Sequence, residues 1–486
     1  MKKQLMLVLS VVIIFSMFLA SCQTEVAPPA EEPAAEVPAV EEPAVEEPAA
    51  EEPATEKTVL NVWSFTNEIY TMAVAFQERH PNVEVRYTMI PMTDGEFQTK
   101  LMATLGTATV PDVVALEAAF VKSYVESDFL ADLTDMMVYA EELEVYPFVY
   151  EVGTHEGVVK AYSYQATPGA LFYRRSLANE YFGTDDPEEI QALLDNMELY
   201  TEAAEVVKEL SGGDTFMVSS SGDFMNLFYA NREQPWIVDN TLTVDPMVDR
   251  MVETAKTFRD NGYESRAQQW QEGWFAGMND SLMDAAGNPK QVFSYFLPTW
   301  GLPYVLAPNA TTADGSTSTA GDWAAIPGPL PYQWGGTWLG VMKETSEMDL
   351  AKEFVRFCTL DEENLTNWAT GVYTNEYLKA IDPRVPDDQY QAPGDFVGSQ
   401  VVVEKITPFF DDSEMSAFLG GQNSYAMFAL AAPNVSARLM QGSDDAIQRA
   451  LNDPLNSYLE GTIDLDQMWS LWKDAVRNEF PDLNIP

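Results

Sequence analysis

Residues 59–65 read VLNVWSF, and this run begins the pattern that decides the fold. Its apolar composition predicts a buried strand. A helix is expected next, because apolar side chains then recur at intervals of three and four residues, at Ile69, Met72, Ala73 and Phe76. The sequence His80-Pro81-Asn82 ends that helix, and residues 83–90 (VEVRYTMI) alternate in polarity as a second strand.

The pattern continues with a helical stretch over residues 97–105 and a third strand over residues 113–116. This order of strands and helices predicts a mainly parallel, doubly wound sheet with right-handed crossovers. Ligands of such sheets bind beyond the carboxyl ends of the strands, which here are residues 63–68 and 116–118. No glycine-rich phosphate loop follows a strand, so the sequence lacks the usual device for holding a nucleotide.

The start of the chain is typical of an export signal. Lys2 and Lys3 precede a continuous apolar run that ends in small residues and a cysteine. Residues 19–22 (LASC) resemble the lipobox of bacterial lipoproteins, in which the cysteine becomes the mature N-terminus and carries the lipid. This predicts a lipoprotein signal peptide over residues 1–22 and an extracytoplasmic protein anchored to the cell membrane through Cys22, on its periplasmic or outer face. The alternatives are an ordinary signal peptide and a membrane anchor that contains a cysteine.

A low-complexity segment follows over residues 23–57. It repeats the theme Glu-Glu-Pro-Ala at residues 31–34, 41–44, 46–49 and 51–54. Proline breaks helices and neighbouring glutamates repel each other, so we expect a disordered acidic tether between the lipid and the folded body. A docking tail for a partner protein is the alternative.

Composition narrows the partners and the chemistry. The formal net charge of −49 repels nucleic acid and anionic lipid headgroups, and it favours an uncharged ligand. His80 and His155 are the only histidines, too few for the common zinc sites or for most histidine-dependent hydrolases. With Cys22 lipidated, Cys358 has no disulfide partner and fits the role of a small core residue. We therefore predict no metal site, no cofactor and no nucleic-acid partner.

Four sequence blocks, taken in order, make the chain similar to the family 1 extracellular solute-binding proteins, which are sugar-binding lipoproteins of bacterial ABC importers. The blocks are LNVW (60–63) with HPNVEV (80–85), PDVV (111–114) with FLADL (129–133), PGALFYRR (168–175) with GTDDP (183–187), and WGGTWLGV (334–341) with AKEFVRF (351–357). The resemblance covers most of residues 58–380 and weakens beyond them.

The resemblance implies an α/β fold of the two-lobed, type II periplasmic-binding-protein-like kind. Each lobe would hold a mainly parallel sheet flanked by helices, and a hinge would join the lobes. The N-terminal lobe would comprise residues 58–165 plus 328–372, and the C-terminal lobe residues 168–325 plus 375–486. The chain would cross between the lobes near residues 166–168, 325–329 and 371–372.

A sugar ring requires two kinds of contact: an aromatic plate for its apolar face and short polar groups for its hydroxyls. Strand ends, the inter-lobe strand and the glycine loop offer such side chains. We predict ligand-binding roles for Trp63, Asn67, Glu68, Glu117, Gln165, Thr167, Trp236, Trp300, Trp334, Gly335, Gly336 and Trp338. Trp270 and Trp274 are further candidates. For each tryptophan, core packing is the competing interpretation, and for Trp338, which lies in an apolar run, the two are equally supported.

The resulting hypothesis is a monomeric substrate-binding lipoprotein. It would capture a neutral sugar or oligosaccharide by hinge closure, catalyse no reaction, and deliver the ligand to the permease subunits of an ABC transporter. Binding of another solute stays open: a peptide, a metal or, because the body is so acidic, a polyamine, although the 11 tryptophans favour sugar. A secreted glycoside hydrolase working through two carboxylates is the remaining alternative.

Overall fold

The computed structural model describes residues 57–387 and 394–486. The predicted signal peptide, Cys22 and all but the last residue of the predicted tether lie outside these residues. Within the described ranges, no helix has the length and apolar character needed to cross a bilayer.

Strands and helices are interspersed as far as β13 (Thr337–Val341), and the described elements after β13 are helices. The strands are β1 Thr58–Ser64, β2 Val83–Met89, β3 Val113–Glu117, β4 Thr154–His155, β5 Val158–Val159, β6 Ala161–Ser163, β7 Gly169–Arg174, β8 Thr215–Val218, β9 Ile237–Val238, β10 Thr241–Leu242, β11 Gln291–Pro298, β12 Trp323–Ile326 and β13 Thr337–Val341. The α-helices are α1 Glu68–Arg79, α2 Glu96–Thr104, α3 Ala118–Val125, α4 Met137–Glu142, α5 Pro147–Val152, α6 Arg175–Phe182, α7 Pro187–Leu193, α8 Met197–Ser211, α9 Met225–Ala230, α10 Pro246–Asn261, α11 Glu272–Met278, α12 Ala307–Asn309, α13 Met348–Leu360, α14 Glu362–Ala369, α15 Asn375–Ile381, α16 Gln400–Ile406, α17 Glu414–Phe418, α18 Ser424–Ala431, α19 Asp444–Leu459 and α20 Leu465–Glu479.

The first main sheet has the strand order β2-β1-β3-β13-β6. β1 pairs in parallel with β2 and with β3, while β13 is antiparallel to β3 and to β6. The predicted start of the body is confirmed, because α1 connects β1 to β2 and α2 lies between β2 and β3. Every side chain from Val113 to Leu116 is buried, as expected for a strand covered on both faces.

The second main sheet has the strand order β12-β7-β11-β8. β7 is antiparallel to both of its neighbours, and only β11 and β8 run in parallel. Both sheets are therefore mixed rather than mainly parallel. The reason is topological: β7 and β13 reach their sheets directly from the other sheet, so they enter from the end opposite to strands that arrive through a crossover helix.

Aromatic and aliphatic side chains form two hydrophobic cores. The first surrounds the first sheet and continues to one face of the second sheet, and the second packs on the opposite face of the second sheet. In the first core, the Phe76 ring on α1 meets Phe354 and Phe357 on α13 at centroid distances of 5.2 and 5.4 Å. In the second, the rings of Tyr200 on α8 and Phe258 on α10 stack at 5.8 Å. Cys358 is fully buried in the first core, which confirms its predicted role as a small core residue.

Three chain segments run side by side where the chain passes between the two sheets. The central one, residues 164–168, follows β6. Its neighbour on one side is residues 332–336, where the Gly169 amide donates to the Tyr332 carbonyl at 2.7 Å. On the other side lie residues 395–399, where the Ala166 amide donates to the Phe396 carbonyl at 2.8 Å. We call these segments the hinge strands.

The third hinge strand lies later in the sequence than expected. The prediction placed a crossing near residues 371–372, but α15 follows that point and packs against α1 of the first sheet. The Tyr377 hydroxyl on α15 hydrogen-bonds the Glu78 carboxylate on α1. This packing places residues 375–381 with the first sheet, and residues 395–399 then lie beside the central hinge strand.

Candidate functional site

Three tryptophans from distant parts of the chain form one aromatic cluster, the tryptophan group. The Trp300 and Trp334 rings meet edge to face with centroids 5.3 Å apart. The Trp270 ring lies parallel to Trp300 at 6.4 Å and edge-on to Trp334 at 6.1 Å. Trp270 is half exposed, whereas Trp300 and Trp334 are partly buried. The group therefore offers large, partly exposed indole faces in a fixed arrangement.

A glycine pair positions this group. The Trp300 indole Nε1 donates to the backbone carbonyl of Trp334 at 2.9 Å. At the next residue, Gly335, a Cβ atom would lie only 2.7 Å from that Nε1, and the backbone φ is +74°. At Gly336, with φ +119°, a Cβ atom would lie 2.8 Å from the Trp338 ring. The glycine loop was expected to let a ligand approach the backbone closely. In the structure, the groups that approach it closely are the indole rings of Trp300 and Trp338.

Two predicted ligand contacts, Trp338 and Trp236, are core residues instead. Trp338 is 1% exposed in the middle of the first sheet, and its Nε1 donates to the Val149 carbonyl at 2.7 Å. Trp236 is also 1% exposed and packs on Trp472 with centroids 5.6 Å apart. Trp274, the further candidate, is fully buried with its Nε1 bonded to Asp223. These tryptophans are core residues because side chains distant in sequence bury them, and the spacing of residues in the sequence does not reveal such burial.

Several polar side chains that could bind ligand hydroxyls lie near the hinge strands. Gln165 Nε2 donates to Asp395 Oδ1 at 3.3 Å, and Trp368 Nε1 donates to Asp395 Oδ2 at 2.8 Å. Burial raises the pKa of Asp395 to about 7, and the negative charge of Glu68 adds to the shift. Glu68 and Asp395 also both act electrostatically on Tyr304. We call Glu68, Gln165, Tyr304 and Asp395 the hinge polar group.

Sequence reasoning missed Asp395 and Tyr304. Neither follows a predicted strand, and Asp395 lies in the region after residue 380 where the family resemblance weakens. The only local signal was the Pro393-Gly394 pair before Asp395, which is common in any loop. Their importance comes from the hinge, which brings Asp395 beside Gln165 across 230 residues of chain.

The remaining predicted residues lie at strand ends or inside the hinge. Trp63 is partly buried at the end of β1, and no ring contact joins it to the tryptophan group among the described residues. The backbone carbonyl of Asn67 accepts from the Tyr70 amide at 3.1 Å as α1 begins. Thr167 is buried, and its hydroxyl donates to the Gly335 carbonyl at 2.9 Å. Thr167 therefore joins two hinge strands rather than presenting its hydroxyl to a ligand.

Glu117 combines a structural bond with a perturbed carboxylate. Its Oε2 accepts from the Ala119 amide at 2.7 Å, which caps the N-terminus of α3. Burial raises the pKa of Glu117, and the charge of Asp445 on α19 acts in the same direction. The end of β3 thus presents a partly desolvated carboxylate towards a helix of the second core.

Taken together, the geometry favours recognition of an uncharged, hydroxyl-rich ring. Indole faces suit the apolar face of such a ring, and carboxylate and amide oxygens accept bonds from its hydroxyls. In the described part of the chain, no group of three or more histidine, cysteine or acidic side chains is arranged to hold a metal ion.

The comparisons with known proteins agree with this geometry. The family model described as bacterial extracellular solute-binding protein matches residues 71–397. No curated protein matches the sequence significantly.

Solved structures share the fold at low sequence identity. One, described as an extracellular solute-binding protein of family 1, has a TM-score of 0.66 and 17% identity, covering 88% of this chain and 100% of its own. The sugar-binding protein MalE from Xanthomonas citri has a TM-score of 0.64 and 14% identity, covering 87% and 99%. The galacto-N-biose/lacto-N-biose I-binding protein of an ABC transporter from Bifidobacterium longum has a TM-score of 0.60 and 15% identity, covering 89% and 99%.

These similarities confirm the expected two-lobed α/β fold, with the mixed strand pairing described above. The matched family model covers about two thirds of the sequence and includes four strands of the first sheet (β2, β3, β6 and β13), the tryptophan group and the first two hinge strands. The chain belongs to the bacterial extracellular solute-binding protein family.

Proposed function

We propose that the protein captures an oligosaccharide between its two lobes and releases it to the permease of an ABC importer, without chemically changing it. The observation that carries the proposal is the tryptophan group beside the hinge polar group. Stacked indoles recognise sugar rings by their flat apolar faces, and Asp395 and Glu68 supply acceptors for the hydroxyls. Related folds with sugar ligands, such as the Bifidobacterium longum protein bound to lacto-N-biose, support this assignment.

Capture would proceed by closure about the hinge strands. A sugar that touches both lobes gains contacts only in the closed form, so it shifts the population towards closure. The lobe boundaries are part of this proposal: residues 58–165 plus 328–372 form most of one lobe and residues 168–325 most of the other. The packing of α15 on α1 and of α16 on α14 supports extending the first lobe to residues 375–381 and 400–406, and the second lobe would take up the chain from α17 onwards.

Membrane attachment and delivery complete the proposal. Lipid on Cys22 would hold the mature protein at the outer side of the cytoplasmic membrane or in the periplasm, and residues 23–57 would act as the tether. The protein would act as a monomer and dock transiently on the permease subunits. The LASC sequence at residues 19–22 supports this part of the proposal.

A polyamine is the second candidate ligand, because the acidic side chains of Glu68, Glu117 and Asp395 lie near the hinge and the chain as a whole carries a net charge of −49. Positively charged amines would also contact the indole faces through cation–π interactions. Isothermal titration with a panel of di- and oligosaccharides, and separately with spermidine, distinguishes the two. If only the titration with spermidine released heat of binding, the ligand would be a polyamine and not a sugar.

The sugar proposal predicts a specific loss on mutation. Trp334→Ala removes the central ring of the tryptophan group and should weaken sugar binding about tenfold or more, as expected for a central aromatic contact. The matched control is Trp469→Ala, which removes a partly buried indole on α20 that packs against Trp472. Equal affinities of the two variants would argue against the tryptophan group as the binding site.

A further inference from the structure

A large cavity opens beside the tryptophan group, within the second lobe. It measures about 1040 Å³, at the upper end of the range for small-molecule sites. Its walls come from the turn after β11, from α17 and α18, and from the 3-10 turn between α16 and α17. We call it the aromatic cavity, because Trp300, Tyr304, Phe409, Phe410, Phe418, Tyr425 and Phe428 all line it.

Two of these rings present much of their surface to solvent. Tyr304 is 57% exposed and Phe409 is 56% exposed, although both line the cavity. Two other lining rings pack closely on each other: Phe410 stacks on Tyr425 with centroids 4.0 Å apart and ring planes within 5° of parallel. Exposed aromatic faces that line a cavity are typical of surfaces that contact the apolar face of a ligand.

The charged side chains that line the cavity limit the charge of a ligand that could bind there. Asp395, Asp412 and Glu414 contribute carboxylates, and none of the described lining residues is lysine, arginine or histidine. An anionic ligand would therefore meet repulsion without a compensating cation. Aromatic plates with carboxylate acceptors at the edge are the same combination of groups found beside the tryptophan group.

The cavity is continuous with that group. Trp300 belongs to both, because its ring packs against Trp334 and the residue also lines the cavity. Tyr304 follows one turn later, its amide donating to the Trp300 carbonyl at 3.1 Å. Asp395 of the hinge polar group also lines the cavity.

We propose that the aromatic cavity is a second compartment of the ligand site, which takes the sugar rings of an oligosaccharide beyond those held at the tryptophan group. This inference rests on the proposed sugar-binding function and adds that the preferred ligand is longer than a disaccharide. Affinity should then increase with chain length, because each added ring reaches Tyr304 and Phe409.

The test is a titration of length series rather than of one sugar. The mature protein and its variants are titrated calorimetrically with α-1,4-gluco-, β-1,4-gluco- and β-1,6-galacto-oligosaccharides of two to six rings. The key variant is Phe409→Ala, which removes an exposed ring and so leaves the core intact. A second variant, Ala417→Trp, fills the cavity from α17 instead of emptying it. Phe129→Ala is the matched control, because Phe129 is also exposed but does not line the cavity.

The expected result is a length-dependent loss. Phe409→Ala should weaken the longest bound oligosaccharide about three- to tenfold and leave its disaccharide unchanged. Ala417→Trp should likewise abolish the gain with length, and Phe129→Ala should behave as the unmodified protein.

Each other outcome overturns a defined part of this reasoning. Two outcomes would refute the second compartment but not sugar capture. One is disaccharide binding with no increase in affinity for longer chains, and the other is an increase in affinity with length that persists in both cavity variants. Equal weakening of all lengths by Phe409→Ala would place that ring in the primary site and also end the two-compartment arrangement. An unmodified protein that binds no sugar in any series would end the proposed function and this inference with it.

Discussion

Replacing Gly335 by alanine tests how the binding surface is built. Gly335 lies in a hinge strand at φ +74°, and an added Cβ atom would lie 2.7 Å from Trp300 Nε1 and 3.2 Å from the adjacent ring carbon. Both distances are shorter than ordinary van der Waals contact. The Trp300 ring cannot yield freely, because its Nε1 donates to the Trp334 carbonyl and its face packs on two other indoles. The substitution must therefore displace Trp300.

The expected cost has two parts. Forcing a residue with a side chain into the left-handed region costs about 1–2 kcal/mol. Losing the Trp300–Trp334 hydrogen bond adds about 0.5–1.5 kcal/mol. Gly335→Ala should therefore lower the free energy of unfolding by roughly 1.5–3.5 kcal/mol. Sugar affinity should fall about tenfold, because the same displacement disorders the tryptophan group.

Gly183→Ala is the matched control. Gly183 has φ +77°, and a Cβ atom there would meet nothing within 4 Å. This variant should show the backbone cost alone, about 1–2 kcal/mol, with unchanged ligand affinity. Chemical denaturation measures stability, and the near-ultraviolet circular dichroism and fluorescence of the tryptophans report the cluster. If Gly335→Ala matched Gly183→Ala in stability, indole spectra and affinity, the reasoning about the glycine pair would be refuted.

Three further predictions follow from burial, titration and the sequence signal. Trp338→Ala should destabilise the protein by about 3–5 kcal/mol in a denaturant titration, because it empties a buried site in the first sheet; a loss below 1 kcal/mol would contradict its core role. Burial raises the pKa of Asp395 to about 7 from 3.8, so the folded form holds this proton more tightly than the unfolded form. Its contribution to stability should be lost as the pH rises from about 4 to about 7, and Asp395→Asn should remove that part of the slope; an unchanged slope would show that Asp395 does not titrate in this range. Cys22→Ser should move the protein from the membrane fraction to the soluble extracytoplasmic fraction, and continued sedimentation with membranes after detergent-free washing would contradict lipid anchoring at Cys22.

Much of the fold was predictable because it is written in local periodicity. The run at residues 59–65, the helical spacing from Ile69 to Phe76 and the alternation at residues 83–90 each depend on neighbours within a few positions. The structure confirms β1, α1 and β2 in these places. Strand direction was less predictable, because it depends on where a strand enters its sheet and not on its own residues. The mixed pairing around β7 is the result.

The site was only partly predictable, as the tryptophans show. Trp334 and Trp338 lie four residues apart in one glycine loop and strand, yet one joins a partly exposed cluster and the other is 1% exposed. Their difference comes from Val149, whose carbonyl receives the Trp338 indole, and from Trp300, which packs against Trp334. Neither partner is near in sequence, so no local pattern could separate the two.

The amino-acid order alone predicts the export signal and the acidic tether, and it determined the first strands and helices of the body, because each reflects composition or periodicity over a short stretch. Tertiary structure alone decided which aromatic rings lie together in the candidate site and which carboxylates lie beside them. Asp395 shows the physical reason: its altered pKa and its bonds to Gln165 and Trp368 exist only when the hinge strands bring those groups together and exclude water.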